Sequence, residues 1–337
     1  MKVLVTGGAG FIGSNFIHYW LKIYPDNQVV NFDVLTYAGH LERLKDIDDN
    51  SNYEFIKGDI TNPNDVKRAM EGVNVVIHFA AESHVDRSIK YPSEFVRTNV
   101  DGTATLLHAA LEAKVERFHH VSTDEVYGHL GPNDPPFNSE TPYAPRTPYA
   151  ASKAGSDHLV RAYFETYGLP ITITNCANNY GLFQDPEKLI PRFITNLILG
   201  KKVPLMGKGE NVREWLHVDD HALGIDIALR EGKAGETYLL QGEERTNRQV
   251  TDALLEIFGM DESMIEPIPD RLGHDFRYAN DGSKLMALGW RRVHNFDEEL
   301  PKLVEWYKQN RWWWEPLLEG RPDIDPQAQK SYGIEKR

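Results

Sequence analysis

Short apolar runs alternate with longer amphipathic stretches through the first half of the chain. The apolar runs predict strands near 2–6, 28–33, 53–57, 73–79, 117–122 and 171–176, with helices near 11–23, 63–71, 92–113 and 149–167. A nearly continuous apolar strand between helices, such as ValAsnValValIleHisPheAla, is typical of a parallel sheet covered on both faces. Because crossovers between parallel strands are right-handed, the pattern predicts an α/β fold with a doubly wound parallel sheet.

The alternation weakens after about residue 177. Helices are predicted near 189–199, 219–231, 246–258 and 297–309, and an apolar strand at 236–241 could return to the first sheet. We therefore expect a first domain over 1–177 with a returning segment at about 215–242. A smaller mixed α/β domain would comprise 178–214 and 243–318, and 319–337 would form a polar tail.

Composition excludes several classes of protein without identifying one. The 337 residues carry a net charge of −13, which disfavours nucleic-acid binding because such affinity depends on clustered Lys and Arg. The first residues lack the pattern of a secretory signal, and no apolar run approaches the roughly 20 residues that span a bilayer. Cys176 is the single cysteine, and no His/Cys/Asp cluster has metal-ligand spacing. We expect a cytoplasmic protein with no membrane association, disulfide framework or metal site.

Three glycines at GlyxxGlyxxGly spacing follow the first predicted strand and open the first predicted helix: Gly7, Gly10 and Gly13. Glycines in this position permit a tight turn, close approach to a pyrophosphate and close packing of helix on strand. The helix that opens at Phe11 and Ile12 would point its N-terminal amides at the phosphates. This context favours a Rossmann-type dinucleotide site over a plain turn.

The ends of the next two strands carry acids that could complete such a site. Asp33 lies 20 residues after Gly13, where a carboxylate can hydrogen-bond the adenosine ribose and would repel the extra phosphate of NADP. NAD is therefore the predicted cofactor, and the alternative is that Asp33 is an ordinary turn aspartate. GlyAspIle at 58–60 places Asp59 and Ile60 where a side chain could meet adenine, although this tripeptide alone is uninformative.

The spacing Tyr-x-x-x-Lys occurs twice, in two different predicted elements. Tyr53 and Lys57 fall in a strand, where four residues extend over roughly 13 Å, so they cannot work as a pair. Tyr149 and Lys153 begin a helix after Pro148, where residues four apart lie about 5–6 Å from each other at Cβ.

A Tyr–Lys pair on a helix suits proton transfer coupled to hydride transfer. The Lys153 ammonium would lower the pKa of the Tyr149 phenol, which could then take a proton from a sugar hydroxyl. Lys153 could also hold the nicotinamide ribose, and Thr123, at the end of a strand, could share the substrate hydroxyl. The alternative is a helix start with a solvent-facing lysine.

Two adjacent acids, Asp124 and Glu125, follow Thr123 at the end of a predicted strand. Neighbouring carboxylates repel, and burial of either one is costly unless it is paired or protonated. The segment is therefore either a solvated turn or a pair of proton-transfer groups whose environments differ.

These motifs resemble the extended short-chain dehydrogenase/reductase family. The resemblance rests on ThrGlyGlyAlaGlyPheIleGly, the strand end at Thr123 and TyrAlaAlaSerLys. Five further segments, within a likeness that runs from residue 1 to about 315, are similar to the family branch that dehydrates nucleotide sugars: PheAlaAlaGluSerHisValAspArgSerIle, SerThrAspGluValTyrGly, AsnAsnTyrGly, ProGluLysLeuIlePro and GlyHisAsp. Sugar 4-epimerases of the family usually carry small or hydroxyl residues in place of Asp124 and Glu125.

The resemblance implies a redox-neutral dehydration of dTDP-glucose with bound NAD. Tyr149 would take the O4 proton while hydride leaves C4, Glu125 would remove the C5 proton, and Asp124 would protonate the departing C6 hydroxyl. Return of the hydride to C6 would give a 4-keto-6-deoxy sugar. The helices near 92–113 and 149–167 would pair in a homodimer.

The resemblance also assigns residues to the two ligands, so that the first domain would bind NAD and the second the nucleotide sugar. Besides the residues above, the cofactor would meet Phe79, Ala80, Ala81, Thr98 and Asn179. The sugar nucleotide would meet Ser83, Thr123, Asn178, Lys188, Leu189, Pro204, Met206, Arg213, Asn247, Arg271 and His274. Arg213 and Arg271 could instead form surface salt bridges. Met206 stands where tyrosine is frequent, which leaves the choice between thymine and uracil open.

Three functions remain as alternatives to the dehydration of dTDP-glucose. These are an NAD-dependent nucleotide-sugar 4-epimerase, a dehydratase that acts on UDP-glucose, and a non-catalytic NAD-sensing protein on the same fold. TrpTrpTrp at 312–314 could be a sugar platform, although packing of the C-terminal end is the preferred interpretation.

Overall fold

A computed structural model of the chain describes residues 1–270 and 274–319. Within these residues the strands in chain order are β1 Lys2–Thr6, β2 Gln28–Asp33, β3 Tyr53–Lys57, β4 Val75–His78, β5 Arg117–Thr123, β6 Ile171–Cys176, β7 Asn178–Tyr180, β8 Val203–Met206, β9 Val212–His217, β10 Thr237–Leu240, β11 Glu243–Thr246 and β12 Ile265–Ile268.

Seven of these strands form one parallel sheet in the order β10-β6-β5-β4-β1-β2-β3. The order reverses direction at β1, as expected for a doubly wound fold, which confirms the predicted fold class. The predicted return of the chain is also confirmed, because β10 pairs in parallel with β6, with Thr237 opposite Ile173.

Two small sheets lie outside this main sheet. One has the order β11-β9-β7, in which β9 is antiparallel to β11 and parallel to β7. The other is a parallel pair of β12 with β8. The sequence pattern missed all five of these strands because each is only three to six residues long and carries no sustained alternation.

The helices cover both faces of the main sheet. Some of them also pack against the small sheets, and together these form the second region of the molecule. In chain order they are α1 Phe11–Ile23, α2 Pro63–Ala69, α3 Val85–Lys90, α4 Pro92–Phe95, α5 Gly102–Ala113, α6 Pro148–Tyr167, α7 Leu189–Ile198, α8 Val218–Arg230, α9 Asn247–Phe258, α10 Ser283–Met286, α11 Phe296–Gln309 and α12 Arg311–Leu318. Among the described helices, none is long and apolar enough to cross a membrane.

The helix predicted near 92–113 is interrupted between α4 and α5 by a π-helical segment, Val96–Asp101. Its buried Asn99 explains the irregularity, because the side-chain amide accepts from the Glu82 main-chain N–H at 2.8 Å and donates to the Ser152 Oγ at 2.8 Å. The wider turn thus ties this segment to α6 and to the loop after β4, both of which border the site described below.

Helix α6 has strong local signals at both ends. The Thr147 hydroxyl accepts from the Ala150 N–H, Pro148 occupies the first turn, and Gly168 ends the helix in the left-handed conformation at φ 71°. These signals fix where the helix begins, and so they fix the position of Tyr149 and Lys153.

Separate apolar clusters support the two regions. Val3, Val5, Phe16 and Trp20 pack on one face of the main sheet, while the second region has its own cluster built from α7, α9, α11 and α12. The domain boundaries drawn from the sequence remain a prediction.

The tryptophan triplet belongs to the second cluster. Trp314 is fully buried and donates its indole N–H to the Tyr307 carbonyl at 2.8 Å, and Trp313 is 3% exposed. Trp312 is 54% exposed. Two of the three rings therefore anchor the C-terminal helix by packing, in agreement with the preferred interpretation.

We expect Trp314→Ala to lower the free energy of unfolding by about 3–5 kcal/mol, because it removes a fully buried ring and leaves a cavity. Urea denaturation followed by circular dichroism measures the change. Trp312→Ala is the matched control and should cost less than about 1 kcal/mol, since most of that ring is already in water. Equal losses for the two variants would contradict the packing described here.

Candidate active site

The carboxyl ends of the parallel strands meet at one edge of the main sheet, where ligands bind in folds of this kind. There the structure holds a cavity of about 460 Å³, continuous in its lining with a second cavity of about 230 Å³ that faces the small sheets. Ser83, Glu125, Asn178, Lys188 and Leu189 are among the residues that line both cavities. The two cavities are therefore the adjoining halves of one cleft.

The glycine turn after β1 leaves no room for side chains. Gly7 has φ +71°, and a Cβ there would lie 2.6 Å from the Ala80 nitrogen. A Cβ on Gly13 would lie 2.4 Å from the Gly7 carbonyl oxygen. The backbone of the turn therefore borders the larger cavity directly, with the first amides of α1 beside it. This is the cradle that a pyrophosphate requires.

Asp33 closes the turn from the end of β2. Its carboxylate accepts from the Ala9 N–H at 3.0 Å and from the Leu35 N–H at 2.8 Å. Burial raises the pKa of Asp33, and these hydrogen bonds act in the opposite direction. Asp33 also lines the cavity, so one carboxylate both supports the loop and borders the space in which a ligand would lie.

All fifteen residues predicted to meet the cofactor line the larger cavity: Gly7, Gly10, Phe11, Ile12, Gly13, Asp33, Asp59, Ile60, Phe79, Ala80, Ala81, Thr98, Tyr149, Lys153 and Asn179. They come from six of the seven strand ends or the helices that follow them. Since residues so far apart in sequence converge on one cavity, their placement fits a dinucleotide; their individual roles remain predictions.

The Tyr149–Lys153 pair lies on the first turns of α6, inside the cleft. The Lys153 ammonium is buried and donates to the Val121 carbonyl at 2.9 Å, and burial lowers its pKa. Burial raises the pKa of Tyr149 well above its ordinary value, and the charges of Glu125, Cys176 and Asp124 act in the same direction.

The expectation that Lys153 lowers the pKa of Tyr149 is therefore wrong for the protein by itself. The ammonium donates to the main chain of β5, while the charges of Glu125 and Asp124 add to the effect of burial on the phenol. A hydrogen bond between the side chains of Tyr149 and Thr123 favours the phenolate but does not offset the burial. The surroundings of Tyr149 therefore favour its protonated form.

The acidic pair occupies a 3₁₀ turn, Asp124–Tyr127, that follows β5 directly. The Thr123 hydroxyl begins this turn by accepting from the Glu125 N–H at 3.2 Å, and it lies 3.5 Å from the Asp124 Oδ1. The two carboxyl groups point apart: Glu125 lines both cavities, whereas Asp124 is 2% exposed and lies behind the lining. The alternative of a solvated turn is therefore wrong.

The environments of the two acids differ as proton transfer would require. Burial, followed by the charge of Glu125, raises the pKa of Asp124 from 3.8 to about 7. Hydrogen bonds from Asn280 and Thr123 and the charge of Arg213 act against this rise. Asp124 is thus poised to hold a proton near neutral pH.

The smaller cavity collects the residues predicted to meet a nucleotide sugar. Nine of these residues line it: Ser83, Asn178, Lys188, Leu189, Pro204, Met206, Arg213, Asn247 and His274. Thr123 lines the larger cavity, and Arg271 lies outside the described residues.

Arg213 is held at the base of the smaller cavity. Its guanidinium is 6% exposed, donates to the Asp275 carbonyl at 2.9 Å and lies 4.4 Å from the centre of the Tyr278 ring. The alternative of a surface salt bridge is therefore wrong for Arg213. A buried cation in this position can offset the negative charge of a diphosphate.

Sequence reasoning missed several residues that line the cleft. Arg192 follows Lys188 by four positions and so shares its face of α7, a signal that could have been used. Tyr278 and Arg43 carried no local signal, because tertiary packing alone brings them to the cleft.

One group of potential metal ligands also escaped the sequence analysis. His217, Asp219 and His294 offer atoms within 4.8 Å of one another. However, the two imidazole rings are stacked, with centres 4.1 Å apart and planes 20° from parallel. A metal ion lies near the plane of each imidazole that binds it at about 2.0–2.1 Å, so these stacked rings cannot share one ion as they stand.

A doubly wound sheet with a glycine turn, a ribose-facing acid and a buried Tyr–Lys pair defines an oxidoreductase-type member of the extended short-chain dehydrogenase/reductase class. Comparison with known proteins narrows this class. The family model described as GDP-mannose 4,6 dehydratase matches residues 4–303. A dTDP-glucose 4,6-dehydratase from Streptomyces antibioticus is 48% identical over 94% of this chain and 95% of its own length.

Solved structures agree with the sequence relatives. The dTDP-glucose 4,6-dehydratase DesIV from Streptomyces venezuelae, solved with NAD bound, has a TM-score of 0.92 at 50% identity, covering 94% of this chain and all of its own. A UDP-glucose 4-epimerase from Thermus thermophilus, in complex with NAD, has a TM-score of 0.85 at 30% identity, covering 92% of this chain and 100% of its own. The chain belongs to the dTDP-glucose 4,6-dehydratase family, which confirms the resemblance drawn from the motifs.

The raised pKa of Asp124 makes stability depend on pH. Because its folded-state pKa lies above the unfolded-state value, deprotonation of Asp124 favours the unfolded chain, and stability is lost as the pH rises from about 4 to about 7. Asp124→Asn removes this loss. We therefore expect the unfolding free energy of Asp124→Asn minus that of the wild type to grow across this range and then to level off.

Urea denaturation at a series of pH values measures this difference. Asp26→Asn, which changes an exposed acid, is the control against which the difference for Asp124→Asn is compared. A flat difference for Asp124→Asn would show that its pKa is not raised.

Proposed function

We propose that the protein dehydrates dTDP-glucose to dTDP-4-keto-6-deoxy-glucose with NAD bound throughout the turnover. The observation that carries the proposal is that Tyr149, Thr123 and Glu125 line the cleft, while the buried Asp124 lies directly behind it with its Oδ1 3.5 Å from the Thr123 hydroxyl. Placement of these groups supports removal of a proton at O4 and elimination of water across C5 and C6 in one substrate position.

The larger cavity fits the cofactor, because its glycine cradle would be filled by any Cβ at Gly7 or Gly13. Gly10 to Gly13 would hold the pyrophosphate, Asp33 the adenosine ribose and Lys153 the nicotinamide ribose. When bound, NAD supplies the hydride acceptor for C4, and its reduced form supplies the hydride for C6. A bound nicotinamide cation would favour the phenolate of Tyr149, which is the form that takes the O4 proton.

The elimination step is assigned to the acidic pair. Glu125, which borders both cavities, takes the C5 proton made acidic by the 4-ketone. The C5–H electron pair forms the C5–C6 double bond, the C6–O bond breaks, and Asp124 supplies the proton with which the hydroxyl leaves as water. Glu125 returns its proton to C5 as hydride adds to C6.

One proton must then be returned between protein groups in each turnover. Tyr149 has gained the O4 proton and Asp124 has lost one, so the starting state is restored when a proton passes from the phenol to the carboxylate. The Thr123 hydroxyl is bonded to Tyr149 and lies 3.5 Å from the Asp124 Oδ1, which places it between donor and acceptor.

The nucleotide would occupy the smaller cavity. Arg213, Lys188 and Arg192 supply cations against a net charge of −13, as recognition of a diphosphate requires. Met206 and Asn247 line the same cavity. We favour thymine over uracil because of the family likeness, and a ratio of kcat/KM values for dTDP-glucose and UDP-glucose decides between the two bases.

The competing 4-epimerase is less well supported, since epimerisation at C4 needs no base for the C5 proton. A buried, protonated Asp124 beside a cavity-lining Glu125 has no task in that reaction. Mass spectrometry separates the two outcomes, because dehydration removes one water whereas epimerisation leaves the mass unchanged. Turnover of neither dTDP-glucose nor UDP-glucose would favour the non-catalytic NAD-sensing alternative.

Our test of the acid–base assignment is Glu125→Gln. We expect dehydration to fall by about 10²–10⁴-fold, because the base for the C5 proton is lost, while oxidation at C4 remains within about tenfold. Single-turnover absorbance of the reduced nicotinamide reports oxidation, and product analysis reports loss of water.

Two matched observations complete this test. Tyr149→Phe should abolish both oxidation and dehydration. With the wild-type protein, substrate that carries deuterium at C4 should give a product that carries it at C6. Equal loss of oxidation and dehydration in Glu125→Gln would contradict its assignment as the C5 base.

We also propose that the protein is a homodimer with a cytoplasmic location. Apolar side chains are exposed on the segment before α5 and at the end of α6, where Val96 is 50% and Tyr167 is 58% exposed. Burial of about 800 Å² on each subunit is typical of a stable interface.

Val96→Asp places a charge in this surface and should shift the mass measured by sedimentation at micromolar concentration from dimer to monomer. Val293→Asp is the control, because Val293 is 74% exposed on another part of the molecule, and it should leave the mass unchanged. A wild-type protein that sediments as a monomer would contradict the proposal.

A further inference from the structure

Asn280 lies behind the acidic pair and is fully buried. It belongs to the segment between the smaller cavity and α10, and its main chain bridges to Phe137 of the long proline-rich loop. Its amide Nδ2 donates to the Asp124 Oδ2 at 3.0 Å and to the Glu214 Oε2 at 2.9 Å. One carboxamide therefore joins two carboxyl groups that are 156 and 66 residues away in sequence.

The orientation of this amide is set by the oxygens around its nitrogen. Besides the two carboxyl oxygens, the Leu240 carbonyl lies 3.4 Å from Nδ2, whereas the Asn280 Oδ1 has no hydrogen-bond partner among the described residues. An amide nitrogen carries two hydrogens, and the two shorter contacts use both of them. Both N–H groups are thus committed to the two acids.

Glu214 anchors the far side of this bridge. It is 1% exposed on β9, directly after Arg213, and the main-chain N–H groups of Asn280 and Gly242 also interact with its carboxyl group. Burial, together with the charge of Asp124, raises the pKa of Glu214 to about 8, and the two main-chain hydrogen bonds oppose the rise. Burial therefore favours the protonated, neutral form of Glu214, as it does for Asp124.

Resting on the function proposed above, we propose that Asn280 and Glu214 are positioning residues for Asp124. Asn280 turns the Asp124 carboxyl toward Thr123 and stabilises the anion that remains after its proton has left. Glu214 holds the Asn280 amide in place as a neutral acceptor, so that no second buried charge opposes that anion.

The physical reason lies in the proton transfer itself. A carboxyl group that is 2% exposed gains almost no help from water when it loses its proton, so a fixed donor must replace the solvent. Hydrogen bonds to ionised groups are roughly twice as strong as those between neutral groups. The Asn280 N–H therefore makes Asp124 a stronger acid at the moment when the C6 hydroxyl departs.

Other charged or titratable groups also act on Asp124 and must be held constant in any test. They come from its own turn, from β9, from α6 and from β6: Glu125, Tyr127, Arg213, Glu214, Tyr149 and Cys176. Asn280 is neutral, so its substitution changes no charge and removes the hydrogen bonds of its amide to Asp124 and Glu214.

The test begins with Asn280→Leu, which keeps the side-chain volume and removes both N–H donors. We expect single-turnover oxidation at C4 to stay within about threefold of the wild type, while dehydration slows about 10–100-fold. Because Asp124 becomes a weaker acid, the alkaline limb of kcat against pH should move to higher pH by about one unit, as expected for loss of a hydrogen bond to a buried anion.

Two substitutions of Glu214 provide the matched pair. Glu214→Gln keeps an oxygen that accepts from Asn280 and should restore dehydration to within about threefold of the wild type. Glu214→Leu removes the acceptor and should reproduce the Asn280→Leu phenotype, and the double variant Asn280→Leu/Glu214→Leu should be no slower than either single variant.

Several outcomes overturn the proposal. An unchanged alkaline limb and unchanged dehydration in Asn280→Leu would do so, and so would equal losses of oxidation and dehydration, which indicate a general structural defect. If dehydration slowed equally in Glu214→Gln and in Glu214→Leu, Glu214 would act through its charge and not as an acceptor for Asn280.

A readout that needs no substrate separates this proposal from the proposed function. The difference in unfolding free energy between a protein with Asp124→Asn and the same protein with Asp124 levels off at high pH. The pH at which it levels off reports the folded-state pKa of Asp124. In the Asn280→Leu background this pH should be higher than in the wild type. If the wild type turns over no dTDP-glucose, this shift still tests the hydrogen bond, and an unshifted value overturns the positioning role.

Discussion

The buried carboxyl group of Asp124, held between the Thr123 hydroxyl and the Asn280 amide, constrains the rest of the site. A carboxyl group that is 2% exposed keeps its proton near neutral pH only if its neighbours supply too few hydrogen bonds and positive charges to stabilise the carboxylate. Glu125, the adjacent residue, adds negative charge from the cavity side, while Asn280 supplies a single hydrogen bond from behind. These opposing effects let consecutive residues serve as an acid, Asp124, and a base, Glu125. Two carboxyl groups of identical exposure could not divide these roles.

A second buried network, one turn further along the same face of α6, holds the Tyr149–Lys153 pair in position. Asp157 is fully buried one turn after Lys153, lies 3.1 Å from the His120 Nε2 and accepts from the Tyr143 hydroxyl at 2.7 Å. His120 and Lys153 contribute to keeping the pKa of Asp157 low, at about 2, against the effect of burial. A fixed negative charge behind Lys153 helps it to remain an ammonium, although burial lowers its pKa.

The sequence was informative wherever function depends on neighbours in the chain. The glycine spacing, the acid at the end of β2 and the Tyr149–Lys153 spacing are local patterns, and each predicted residue lines the cleft. The main sheet followed from apolar runs for the same reason. The short strands β7, β9 and β11 depend on pairing with distant segments, and the π-helical turn depends on contacts of Asn99 with Glu82 and Ser152.

Properties set by burial could not be predicted from spacing alone. The spacing suggested that Lys153 would lower the pKa of Tyr149, but the fold turns the ammonium to the Val121 carbonyl and brings two carboxyl groups near the phenol. Likewise, nothing local connects Asn280 with Asp124. Coulombic and hydrogen-bond effects act through space, so they become visible only when the packed neighbours are known.

The acids of the cleft bear on how its buried cation, Arg213, is held. Glu125 lines both cavities of a protein with a net charge of −13, and the diphosphate of the proposed substrate is itself negative. A mobile surface lysine would be screened by solvent, whereas the Arg213 guanidinium is fixed between the Asp275 carbonyl and the Tyr278 ring. Because Arg213 also opposes the rise in the pKa of Asp124, the residue that would receive the diphosphate also moderates the acid. A diphosphate bound at Arg213 would therefore change the balance of charge that acts on Asp124.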